Sequence, residues 1–291
     1  MAFNGLRDFS DALTDEGATW TSFIHKTGGP SSLGATGRWA DMSMGAGIPK
    51  YNAYVGSQLV ATALTGAGND GIYCGPTPAS GQTKHIHTFS LVTNAGTAIP
   101  SYWTLADYLM FYPLIDGDNT DQQDMDNTVT LPRYATGDGV QCMAVCTTPM
   151  TTTATCTVSY TNQAGVAGRT STFSLIFSTA VGCIVSSPSA SGAGGSVSAF
   201  IPLDGGDTGM RSIQSVTLST PSGGFFALVL LKPLSNLVLR ETGVATEITQ
   251  VMQRGGVLPQ VQDGAYLNLF YNTAGGGNAV TLRGHVEFAW G

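Results

Sequence analysis

From about Tyr51 onward the chain alternates apolar and polar positions or passes through short apolar runs. The pattern predicts strands over 52–63, 84–93, 127–132, 139–147, 154–161, 170–178, 196–201, 212–219, 225–232, 265–271 and 279–289. The segments between them are turn-forming: GAGND, GPTPASG, TNQAG, SPSASGAGG, LDGGDTG, TPSGG and NTAGGG. Pro233 is expected to end the strand over 225–232, because proline cannot donate to a ladder. Many short strands without a fixed repeat predict an all-β protein. Its body, residues 51–291, is read as a β-sandwich of the jelly-roll kind, built as one sandwich or two packed together.

Residues 1–50 follow a different pattern. Asn4 is placed to cap a short helix over GLRDFSDAL, with Leu6, Phe9 and Leu13 on one stripe and Gly17 as its stop. The glycine-rich run GGPSSLGATGRW has no sustained period, so the segment reads as an extended N-terminal arm. Phe9, Trp20, Phe23, Trp39 and Met42 are the apolar anchors with which such an arm would hold a neighbouring surface. A second short helix is expected over Leu105–Tyr112, with Thr104 as cap and Pro113 as stop. Leu234–Met252 mixes β-branched and charged residues and is assigned to neither class.

Composition narrows the function. Of 291 residues, 42% are hydrophobic, enough for a large core, but only 11% are charged, well below the usual ~25%. Such a low-charge surface suits a protein packed against copies of itself or a partner. The net charge is −7 and the twelve basic residues are scattered, which argues against nucleic acid as a partner. The longest strongly apolar run, Phe225–Leu231, is far short of the ~20 residues of a membrane-spanning helix, so no membrane role is expected. Five cysteines (Cys74, Cys142, Cys146, Cys156, Cys183) and no secretory leader predict reduced, buried thiols in a protein made in a cytoplasm.

Candidate chemistry is concentrated between Thr104 and Val145, where Asp107, Asp116, Asp118, Asp121, Asp124, Asp126 and Asp138 all fall. Asp116, Asp118 and Asp121 are the candidate calcium ligands, being hard oxygen donors in a turn-forming run. Their spacing departs from the EF-hand loop, since Asp121 takes the sixth place and Asn127 the twelfth. Aspartates that bond their own backbone in a solvated turn are the preferred reading of the run, and no metal is assigned to it. His85 and His87 alternate on one strand face, which could begin a metal site, but no third ligand is identifiable. The aromatic residues Tyr102, Trp103, Tyr108, Phe111 and Tyr112 read as core or subunit contact rather than a sugar platform. No nucleophile elbow, phosphate loop or dinucleotide fingerprint is present. The chain is read as non-enzymatic and without a cofactor.

Four segments, GRWADMSMGAGIP (37–49), DNTVTLPRYATGDGVQCMAV (126–145), FIPLDGGDTGMRSIQSVTLS (200–219) and DGAYLNLFYN (263–272), resemble parts of uncharacterised structural proteins of tailed bacteriophages. The resemblance implies a virion component, foremost a capsid decoration (cement) protein on the shell exterior. It implies the major capsid protein or other virion proteins as partners, and fits a homo-oligomer, with a trimer expected. A neck or tail component, or a receptor- or glycan-binding virion protein, is the alternative. The long spine helix and extended hairpin of the usual tailed-phage shell subunit have no counterpart in this sequence, which favours an accessory protein.

Overall fold

Two long apolar segments, Ser101–Asp116 and Phe225–Leu239, are buried on both faces and pair antiparallel along almost their whole length. The computed structural model describes residues 3, 5–28, 38–66, 70–94, 99–187, 198–250, 258–273 and 281–291. A helix α1 (Leu6–Thr14) precedes the strands. In the first half of the chain these are β1 (Thr19–Thr27), β2 (Trp39–Asp41), β3 (Ala46–Ile48), β4 (Thr62–Ala63), β5 (Lys84–Thr93), β6 (Ser101–Asp116), β7 (Gln123–Asp124) and β8 (Gln141–Cys146). There follow β9 (Ala154–Asn162), β10 (Arg169–Leu175), β11 (Cys183–Ile184), β12 (Ser186–Ser187), β13 (Met210–Leu218) and β14 (Phe225–Leu239). The last are β15 (Thr246–Thr249), β16 (Gln260–Val261), β17 (Leu267–Thr273) and β18 (Leu282–Trp290).

The protein is all-β, as expected, and its strands form three antiparallel sheets. In the first, the order β14-β8-β11-β2-β17-β6 returns to β14, which closes a six-stranded barrel, with β4 added beside β6. A second sheet runs β15-β5-β18-β1-β3, with β16 also on β5; a third runs β12-β10-β9-β13-β7. Alternation along the barrel strands sorts the side chains into two sets. Ala106, Tyr108, Met143, Val145, Ala227, Val229, Leu231 and Phe270 form a cluster that includes no residue of the other two sheets. Leu105, Cys142, Ala144, Leu228, Leu230 and Leu269 belong instead to a cluster shared with Ile24, Phe89, Val158 and Val216 of those sheets. The first set fills the barrel and the second packs its outside. Each fully buried Leu or Val contributes roughly 1.5–3 kcal/mol relative to exposure.

Several expectations are corrected. Residues 105–112 are not a helix but the centre of β6: a strand buried on both faces loses its period of two, and a continuous apolar run is ambiguous. β14 runs through Pro233 to Leu239. Pairing with β8 ends at Leu231, so Pro233 keeps only β6 as a partner, opposite Ala106 and beside a bulge, where its missing N–H is tolerated. Residues 52–63 are mostly loop, with Tyr54 and Leu59 in left-handed backbone. Nor do residues 127–132 form a strand.

The N-terminal segment is not a free arm. β1 pairs with β18 from Thr19↔Ala289 to Lys26↔Leu282, and β2 sits inside the barrel wall between β11 and β17. Within the segment β1 pairs with β3; β18, β11 and β17, which tie the segment to the body, all lie far away in sequence. The helix forms at Leu6–Thr14 and carries Phe9 inward; its N-cap is Gly5, without a side-chain cap. Asn4, the expected cap, lies outside the described residues.

Candidate functional site

Asp41, at the end of β2, is fully buried and collects four hydrogen bonds from its own chain. Its Oδ1 accepts from Ser43 N (3.1 Å), Ser43 Oγ (3.0 Å) and Tyr108 Oη (2.8 Å). Its Oδ2 accepts from Tyr54 Oη at 2.5 Å. Asn268 Nδ2 donates to Ser43 Oγ at 2.9 Å and extends the network to the adjacent strand β17. Burial pushes the Asp41 carboxyl above its usual range, and the hydroxyl and amide donors pull against that. Lys26 is also buried, with Nζ donating to Gly45 O at 2.8 Å. Burial lowers its pKa to about 8, opposed by the charge of Asp41.

Tyr54 reaches Asp41 from a loop outside the barrel strands. Its φ of 54° is left-handed, a costly state for a tyrosine that persists only where surrounding contacts enforce it. Here Tyr54 N donates to Asn52 Oδ1 (2.8 Å), and Asn52 N donates to Ser43 O (2.8 Å). The loop is therefore pinned to the barrel through both backbone and side chain. On its outer side it lines an open groove of about 480 Å³ together with Leu64, Asp70 and Tyr266. Tyr51 and Val55 stand there 55% and 82% exposed. Lys50 and Asp70 form an exposed ion pair at 3.0 Å, and Asn52 Nδ2 donates to Tyr266 Oη at 3.4 Å.

A second buried carboxylate, Asp107 of β6, is held by Arg133. Nε and Nη2 donate to Oδ2 and Oδ1 at 2.8 and 2.7 Å, and Tyr266 N donates to Oδ1 at 2.9 Å. Arg133 Nη2 also donates to Leu64 O and Tyr108 O. Burial pushes Asp107 up, and the guanidinium holds it down. Both networks are saturated by the chain itself, so they act as internal fastenings.

The outer face of the β1 sheet presents the other surface of interest. Phe23 is 72% exposed, and Ile48 of β3 lies opposite His25 on the same face and is 47% exposed. β1 alternates strictly here, with Ser22, Ile24 and Lys26 buried and Phe23, His25 and Thr27 outward.

The residues singled out in the sequence have different fates. Among the expected arm anchors, Phe9 and Met42 are buried in the protein's own core, and Trp39 packs half-buried against the barrel interior. Trp20 lies edge-on to Tyr73 at 5.3 Å and against Gly75. A Cβ at Gly75 would come within 2.6 Å of that indole, at a φ of 80°. Phe23 alone of the five projects freely. Asp116 ends β6, and Asp118 and Asp121 lie in the turn that follows, where Asp118 N donates to Asp116 Oδ1 and Asp121 N to Asn119 Oδ1, both at 2.9 Å. Among the described residues no three His, Cys, Asp or Glu side chains converge as a metal-ligand set. His85 hydrogen-bonds Thr83 and Leu258 under the ring of Phe3, and His87 lies under Phe9 near Glu287. All five cysteines are free and buried. Trp103, Tyr108, Phe111 and Tyr112 are core.

The groove was not legible beforehand. The signal that could have found it is KYNAYV (50–55), with two tyrosines, an asparagine and a lysine in a run that imitates a strand. No helix among the described residues is long and apolar enough to cross a membrane. In comparisons with protein-family models, curated proteins and solved structures, nothing matches this chain, so its function is argued from its own geometry.

Proposed function

We propose that the chain is a structural component of a tailed-phage virion, a capsid decoration protein that stabilises the shell through subunit contacts. One observation carries the reading: Phe23, largely exposed on a regular strand beside Ile48, is an apolar contact point on a rigid sheet rather than on a loop. A rigid sheet can present such a side chain identically at many sites, at little ordering cost on binding. The low surface charge and the four phage-like segments support the same reading. The partners are then the major capsid protein and other copies of this chain, as a trimer.

The test is quantitative mass spectrometry of purified virions together with shell binding by Phe23→Ser. A ratio to the major capsid protein near one, or a simple fraction of it, is expected, with at least tenfold weaker shell binding by the variant. A few copies per particle would move the protein to the neck or tail. Absence from particles would overturn the reading, and undiminished binding by Phe23→Ser would remove Phe23 from the contact.

A further inference from the structure

We infer that the groove lined by the 50–55 loop is a binding site for a short neutral carbohydrate, with Tyr51 as its stacking platform. The inference does not rest on the particle location proposed above. First, the loop is preformed. Tyr54 holds a left-handed backbone, and its hydroxyl is fixed to buried Asp41 at 2.5 Å. Strained, over-determined backbone of this kind recurs at ligand clamps, and a site ordered in advance loses less freedom on binding.

Second, what this fixed loop displays is amphipathic. Tyr51 and Val55 face solvent, whereas the other tyrosine of the run, Tyr54, is buried. A sugar offers C–H faces to a phenol ring and hydroxyls to amide, carboxylate and ammonium groups. Asn52, Lys50 and Asp70 supply those three around the same groove. Third, the charges cancel. Lys50 and Asp70 are paired at 3.0 Å, so neither sign is offered to an ionic ligand, while their remaining donors and acceptors stay open to hydroxyls. The groove's volume of about 480 Å³ lies within the ~300–1,000 Å³ range of small-molecule clefts.

The experiment is saturation-transfer NMR on the full chain with trisaccharides of glucose, galactose and N-acetylglucosamine, and with an oligo-uronate as the charged competitor. At least one neutral trisaccharide should receive transfer from the protein. Tyr51→Ala should weaken that binding by about tenfold, the loss of one aromatic stacking contact. Val166→Ser, an exposed valine on a different loop, should leave it unchanged. Thermal unfolding of Tyr51→Ala should match the parent, which separates lost binding from lost fold. No transfer to any neutral sugar would overturn the inference. So would equal binding by Tyr51→Ala, or preference for the uronate. Capture of an extended peptide in the groove instead of a sugar would also refute it. Virion stoichiometry has no bearing on these outcomes, so this inference and the decoration reading fail separately.

Discussion

Asp107 and Asp118 are eleven positions apart in the sequence, yet they stand in opposite environments. Asp107 sits in an apolar strand, fully buried, and every hydrogen bond it accepts comes from a residue distant in the chain or from a neighbouring strand. Asp118 lies in the densest acidic run, is exposed, and its backbone bonds the side chain of Asp116 two residues away. Asp41 shares the burial of the first case and takes distant donors from Tyr54 and Tyr108, to which Ser43, two residues on, adds local ones. Density of charge in a sequence thus marks where carboxylates are cheap, at a solvated turn. An isolated aspartate inside an apolar run marks where one is costly and must be fully paired. In this protein the isolated aspartates organise the fold.

The widest test of this contrast is alkaline pH, because burial should govern titration. Cys74 and Cys146 are raised to about 12, and Cys142, Cys156 and Cys183 are also raised, all chiefly by burial. Unfolded thiols titrate near ~8.5, so the stability these groups contribute is complete below that pH and is lost as pH rises toward their folded values. Lys26 works the other way: with a folded pKa of about 8, it adds stability as pH rises from there toward the unfolded lysine value. Burial lowers Lys84 in the same sense, and five thiols outweigh the two amines, at up to ~1.4 kcal/mol per group per pH unit. Under reducing conditions the urea midpoint should fall clearly between pH 8 and pH 10. A constant midpoint would mean the thiols titrate in the folded protein.

A narrower test removes one partner. Arg133→Ala strands the Asp107 carboxylate in the core and should cost about 3–5 kcal/mol by chemical denaturation. A loss below ~1 kcal/mol would place Asp107 with the solvated carboxylates and collapse the distinction. At the small end, Asp118→Asn and Asp121→Asn should each change stability by no more than ~0.5 kcal/mol, with or without added calcium. Calcium-dependent stabilisation of the parent, lost in both variants, would restore the acidic turn as a metal site.

Much of the fold was written in local pattern. β5, β8, β9, β10, β13 and β18 lie within a few residues of the predicted strands, because each has one polar and one apolar face or is bounded by turn residues. What local pattern could not supply was partnership. The β6 segment, apolar on both faces, imitates a helix until β14 and β17 are seen on its two edges. Trp39 and Met42 imitate anchors of an arm, because their neighbours come from β11 and β17. At the candidate sites, Phe23 was singled out in the sequence, but as an anchor of an extended arm and not as an outward residue of a paired strand. Tyr51 was not, because its environment is set by the contact of Tyr54 with Asp41, which no spacing rule encodes.

The pairing of β1 with β18 also bears on how the chain is made. These strands are joined residue by residue although about 260 positions separate them. While the protein is being synthesised, β1 leaves the ribosome early and must wait for residues 282–290 before its edge is covered. During that interval Trp20, Phe23 and Ile24 belong to an open strand edge, the kind of surface that invites pairing between neighbouring nascent chains. The yield of native protein should therefore depend on translation speed and chaperone supply far more than the stability of the finished fold suggests.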